Sequence, residues 1–195
     1  MAITINGSGT VTGITAGGLP DGIITADELA SGVGGKVLQV VSTTKTDTQS
    51  IAGTTDTDVL TASITPSSTS SKILIMLDLN ISNVQTGTET AGRRYGYAKL
   101  YRDTTQIAMG DSSGSRTQVW FSSNTVDVSN DGHRMAQSSG SYLDSPSSTS
   151  SITYKVKCAN YATDATVMIN RTGPDSDGTF THRGASTLTL MEIAG

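Results

Sequence analysis

Short runs in which apolar and polar residues alternate recur along most of this chain. The clearest is Lys72-Ile73-Leu74-Ile75-Met76-Leu77-Asp78-Leu79-Asn80-Ile81. Successive side chains of a strand point to opposite faces. Ile73, Ile75, Leu77, Leu79 and Ile81 therefore share one face, while Leu74 and Met76 give way to Asp78 and Asn80 on the other. The same reasoning predicts strands over 37–41, 59–65, 95–102, 105–109, 118–121, 135–143, 152–158, 166–170 and 187–193. Turns rich in Gly, Asn, Asp and Ser separate them, notably Asp111-Ser112-Ser113-Gly114, Asn130-Asp131-Gly132 and Pro174-Asp175-Ser176-Asp177-Gly178. About ten strands at such intervals predict an all-β fold, an antiparallel β-sandwich or jelly-roll-like head over residues 36–195.

Residues 1–35 read differently, as an extended arm. Ile3, Ile5, Val11 and Ile14 punctuate a Gly/Ser/Thr stretch that cannot build a core alone, and such a terminus frays unless something holds it. After the turn Leu19-Pro20-Asp21-Gly22, the segment Thr25-Ala26-Asp27-Glu28 has the form of a capping box and predicts one short helix. Gly32 stands where a left-handed terminating residue belongs. So short a helix needs a partner surface, for which Ile23, Ile24 and Leu29 are the candidates. Gly34-Gly35 marks the expected boundary of arm and head.

The hexapeptide Pro-Ser-Ser-Thr-Ser-Ser occurs twice, at 66–71 and 146–151, each time just before a strong strand. The expectation is a repeated polar loop at one rim of the sandwich, with a receptor or glycosylation surface as the alternative. On the last strand, Leu188 and Leu190 alternate with Met191 and Ile193. This predicts a central position with burial on both faces.

Composition sharpens this picture. Ser and Thr number 57 and Gly 21, so the strands carry small polar outer faces and the core is thin, which makes oligomerisation the expected remedy. The 13 basic and 17 acidic residues are spread without blocks, against sequence-independent nucleic-acid binding. No run approaches the roughly 20 apolar residues of a membrane span. The N-terminus lacks the basic and apolar regions of a secretion signal. Cys158 is alone, which fits a reducing compartment.

Candidate chemistry is sparse. His133 and His182 have no ligand spacing around them, so no metal or cofactor is expected. No Gly-x-Ser-x-Gly elbow precedes a helix. Asp175-x-Asp177-Gly178 opens like a calcium loop, but Ser186 stands where the bidentate acid belongs. Asp78, Asp103, Asp144 and Glu192 are the strand-associated acids that a sugar hydrolase could pair. The absence of motifs makes a non-enzymatic protein the default expectation. Tyr95, Tyr97 and Tyr101 share a strand face with Lys99, behind Arg93-Arg94. That face suits stacking on sugar rings, a core position, or a subunit seam. Trp120 and Phe121 are expected on opposite faces of their strand, one toward the core and one toward an interface.

Several strings resemble fibre proteins of marine and cyanobacterial tailed phages. They are the opening Met-Ala-Ile-Thr-Ile-Asn-Gly-Ser-Gly-Thr-Val-Thr-Gly-Ile, Gly17 to Gly22, Ile24 to Leu29, and Gly35-Lys36-Val37-Leu38-Gln39-Val40-Val41-Ser42-Thr43. Later blocks agree: Ile64-Thr65-Pro66 to Ile75, Asp144-Ser145-Pro146, Tyr154-Lys155-Val156, Ile169-Asn170-Arg171, and Ser186 to Ile193. The resemblance implies a virion component made in the host bacterial cytoplasm, a trimeric tail fibre whose arm docks on tail or baseplate proteins and whose head meets the host surface, including its glycans. A capsid-bound head fibre or cement protein is the alternative, and a carbohydrate depolymerase a more distant one. On this reading virion attachment falls to Ile3, Ile5, Val11, Ile14, Leu19 and Leu29. Receptor contact falls to Arg93, Arg94, Tyr95, His133, Arg134 and His182. The stretches 84–94 and 122–134 match nothing in the family, as host-range loops often do.

Overall fold

A computed structural model describes residues 4–5, 11–12, 36–85, 95–124 and 133–195. The chain divides into two units, Met1–Lys36 and Val37–Gly195. In the first, β1 (Thr4–Ile5) and β2 (Val11–Thr12) form an antiparallel pair with Ile5 opposite Val11. The expected helix, with Ile3, Ile14, Leu19 and Leu29, lies outside the described residues, as do Arg93 and Arg94.

In the second unit the alternating runs fold as β3 (Val37–Lys45), β4 (Gln49–Ala52), β5 (Thr57–Ile64), β6 (Lys72–Gln85), β7 (Tyr95–Arg102), β8 (Thr105–Ile107) and β9 (Phe121–Asn124). They continue as β10 (Ala136–Asp144), β11 (Ile152–Asn160), β12 (Ala165–Ile169) and β13 (Ser186–Ile193). The described residues are all-β. One sheet runs β3-β13-β6-β10, with β12 and β4 continuing along the far part of β6. The other runs β5-β11-β7, and β8 and β9 share the remaining edge of β7. All of these pairings are antiparallel. The chain crosses repeatedly from one sheet to the other, and these strand orders are those of a jelly roll.

The core lies between the sheets. Ile73, Ile75, Leu77, Leu79 and Ile81 all face it and are buried. Leu188 and Leu190 of β13, Leu60, Ala62 and Ile64 of β5, Leu100 of β7, and Tyr154, Val156 and Cys158 of β11 meet them there. At roughly 1.5–3 kcal/mol for each fully buried large aliphatic side chain, this single layer is the main source of stability. β13 sits centrally, between β3 and β6. Its burial is one-sided, however: Ser186, Leu188, Leu190 and Glu192 are buried, whereas Met191 and Ile193 are half-buried on the outer face.

Both hexapeptides cross between the sheets at the same end of the sandwich. One joins β5 to β6 and the other β10 to β11, where Ile64 pairs Ile152 and Ile73 pairs Asp144. A buried acid holds each crossing. Glu192 Oε1 accepts from Ser67 N–H, Ser67 Oγ and Ser71 Oγ, each at 2.7 Å, and Oε2 accepts from Gln39 Nε2 at 2.6 Å. Burial by itself would raise its pKa, but these donors hold it at about 2. Asp144 takes both oxygens to Arg102 Nη1 at 3.0 Å and accepts from the Tyr154 hydroxyl at 2.6 Å. Burial and this carboxylate together hold the Tyr154 phenol far above its ordinary range.

A third buried hub closes the gap where β13 hands the edge of β6 over to β12. Asn170, at φ 60°, donates from Nδ2 to the Lys45 and Asp47 carbonyls at 2.8 and 3.0 Å and accepts from Ser186 Oγ at 2.6 Å. Asn is among the few residues that enter this left-handed region at small cost.

Two expectations about the segment before β9 are corrected. The strand begins at Phe121 rather than Gln118, because β8 already occupies the neighbouring stretch of β7, and only the Trp120 N–H reaches it, donating to the Ala98 carbonyl at 2.9 Å. Trp120 and Phe121 do not divide between core and interface. Both lean on the core, with ring centroids 5.9 Å apart.

Candidate functional site

β7 places Gly96, Ala98 and Leu100 inward and Tyr95, Tyr97, Lys99 and Tyr101 outward. The tyrosine face is therefore the outer surface of the second sheet, which removes the core position that the sequence allowed. The inward set is smaller for a physical reason. A Cβ at Gly96 would lie 2.9 Å from Val167 Cγ2 and would collide with the Asn83 carboxamide of the opposite sheet, so the layers close only over a glycine.

An ion-pair lattice fixes the middle of this face. Lys99 Nζ lies 2.7 Å from Asp56 Oδ2 and 5.0 Å from the Tyr97 ring centroid, and the Tyr101 hydroxyl donates to the same Asp56 oxygen at 3.3 Å. Lys155 and Lys157 of β11 converge on Asp58 at 3.3 and 2.9 Å, and Lys157 lies 5.2 Å from the Tyr101 ring centroid. Burial tends to lower the Lys99 pKa, but its hydrogen bond to Asp56 and that carboxylate's charge raise it. Burial, followed by the charge of Asp56, raises the Tyr97 and Tyr101 phenols. The Lys157 hydrogen bond, working against burial, lowers Asp58. The rings thus remain neutral donors on a surface whose three lysines each contact one of two carboxylates.

Beside the lattice, the face opens into a groove of about 430 Å³ lined by Tyr95, Gly96, Tyr97, Thr117, Val119, Ser122 and Tyr161. Its floor is the first three residues of β7. Ser122 stands opposite Tyr97 on β9. Tyr161 is brought alongside by its N–H, which donates to the Tyr95 carbonyl at 3.0 Å. Tyr95 is 41% exposed and Tyr161 62%, so both rings offer surface to a ligand.

Of the residues expected at a receptor site, Tyr95 belongs to this groove. His133 and Arg134 precede β10 on the side of the first sheet. There His133 packs edge-on against Phe180, with ring centroids 6.3 Å apart. His182 lies two residues beyond Phe180 and is exposed; its carbonyl accepts from Thr172 N–H at 3.3 Å. The histidines' neighbourhood and the tyrosine groove therefore belong to opposite sheets. Sequence reasoning missed Tyr161 and Val119 and did not place Thr117 or Ser122 beside Tyr95; all four join it only through pairing around β7. Tyr161 had one legible signal, an aromatic one residue past the end of a strand.

Of the attachment residues, Ile5 and Val11 are backbone register partners in the β1–β2 pair. Asp175 of the calcium-like string pairs with Arg183, and among the described residues no group of three or more His, Cys, Asp or Glu could hold a metal ion. Asp103, Asp144 and Glu192 each accept structural hydrogen bonds. No described helix is long and apolar enough to cross a membrane. No protein-family model matches the sequence, and no curated protein matches it.

Proposed function

We propose that this protein is a non-enzymatic structural component of a tailed-phage virion, a trimeric tail fibre whose N-terminal arm docks on the particle and whose jelly-roll head meets the host surface. The observation that carries this reading is the solvent-facing tyrosine groove beside an ion-paired lattice, an arrangement suited to adhesion. The family strings supply the virion context. Trimerisation has its own support on the other sheet. Val40, Met191, Leu74 and Leu143 lie in register across β3, β13, β6 and β10 on its outer face, with Val40 53% and Leu143 49% exposed. Such a continuous apolar row on a polar β-protein suits a subunit seam.

Imaging particles that carry a labelled copy of this chain tests the reading. Label on tails supports it, and label on capsids favours the head-fibre or cement alternative. Deleting residues 1–32 should abolish incorporation while leaving a soluble head, so normal incorporation would refute the arm's role. A monomeric mass at micromolar concentration would overturn the trimer. A trimer that dissociates in Val40→Asp/Leu143→Asp would place its seam on the apolar row.

A further inference from the structure

The groove across the start of β7 has the features of a small-ligand site, and its chemistry selects among ligands. Its volume of about 430 Å³ falls within the roughly 300–1,000 Å³ range of small-molecule sites. The lining combines three tyrosines with Thr117, Ser122 and Val119 and, among the described residues, contains no charged side chain. The nearest cation on β7, Lys99, is held at 2.7 Å by Asp56, and Lys155 and Lys157 are held by Asp58. Two lysines share Asp58, but each lysine already holds a carboxylate and none lines the groove, so a carboxylate or sulfate there would be desolvated without a partner and bind poorly. A flat, uncharged, hydroxyl-rich ring meets a better match. Its C–H face can stack on the exposed Tyr161 and Tyr95 rings, and its hydroxyls can pair with the phenols, Ser122 and Thr117.

We infer that the groove of Tyr95, Tyr97 and Tyr161 is a binding site for an uncharged pyranose unit of a surface polysaccharide. The inference rests on the adhesin reading above and gives it a ligand class. Tyr161 and Tyr95 supply the stacking surfaces. Tyr97, flanked by Lys99 and tied to the Asp56 lattice, is fixed before the ligand arrives, so little ordering is lost on binding.

Saturation-transfer NMR on the full chain, with the methyl glycosides of glucose, galactose, mannose and N-acetylglucosamine and with methyl glucuronide as the charged control, tests this. At least one neutral glycoside should receive saturation and the glucuronide none. Tyr161→Ala and Tyr95→Ala should each weaken binding about tenfold, the loss expected when an anchoring aromatic worth over 1 kcal/mol is truncated. Tyr161→Phe, which keeps the ring, should retain most of the binding. Both rings are well exposed, so an unchanged melting temperature will separate lost binding from lost fold. Transfer to the glucuronide alone, transfer that persists in both alanine variants, or no transfer to any neutral glycoside would each overturn the site. Incorporation into particles without glycoside binding would sink the sugar site and leave the fibre reading standing; binding without incorporation would do the reverse.

Discussion

Glu192 is a buried carboxylate at the rim of the sandwich, and Glu192→Gln removes its charge while keeping its shape. Three donors converge on Oε1 and the Gln39 amide donates to Oε2. A glutamine can still accept at one atom, but its own amide then faces that of Gln39. Gln39 cannot simply flip, because its Nε2 also donates to the Thr65 carbonyl at 2.7 Å. The carboxyl is pulled from 4.5 to about 2 in the folded chain, worth about 3 kcal/mol at 1.36 kcal/mol per pK unit. The rim is thin and solvent screens part of this, so about 2 kcal/mol is the expected effect. Because the folded value is the lower one, this stability is complete above pH 4.5 and is lost as pH falls toward 2. For a domain of this size about 2 kcal/mol lowers the melting temperature by roughly 4–8 °C. Differential scanning calorimetry of both proteins at pH 7 and pH 3 should show that gap at pH 7 and about half of it at pH 3. An equal gap at both pH values, or none at pH 7, would refute the reasoning.

Three further outcomes follow from the packing. Gly96→Ala should cost about 2 kcal/mol by driving a methyl into Val167 and Asn83, read as a lower urea midpoint at unchanged slope. Asn170→Ala strands the Lys45 and Asp47 carbonyls and the Ser186 hydroxyl and removes a residue suited to positive φ, so about 3 kcal/mol should be lost; hydrogen exchange should show the effect first where β12 and β13 meet β6. Burial, helped by the Asp56 charge, pushes the Cys158 thiol up to about 12. It should therefore ignore a thiol reagent at pH 8 in the native state and react only on addition of denaturant.

Much of the fold was legible because alternation is a direct imprint of a half-buried strand. The Ile73 to Ile81 series is buried at every inward position, and both hexapeptides lie at one rim as their position before strong strands implied. β4 escaped notice because Ile51 is its only fully buried side chain, and one apolar residue makes no period. The strand before Trp120 was misplaced because an edge already taken by β8 leaves no trace in local sequence. The two-sided burial expected of β13 failed because its outward apolar residues, Met191 and Ile193, meet no covering layer among the described residues of the second unit.

The tyrosine face shows the division most plainly. Period two puts Tyr95, Tyr97, Lys99 and Tyr101 together whatever the fold, since a strand leaves no other arrangement. It cannot say which side of the strand is wet. That choice belongs to the opposing sheet, where Asn83 and Val167 leave room for Gly96 but for no larger residue, so the small side chains turn in and the rings turn out. The groove is likewise tertiary: Ser122 and Tyr161 reach it from β9 and from the turn after β11. Side-chain alternation is local and can be read from the chain, whereas facing and convergence depend on which surfaces close against each other.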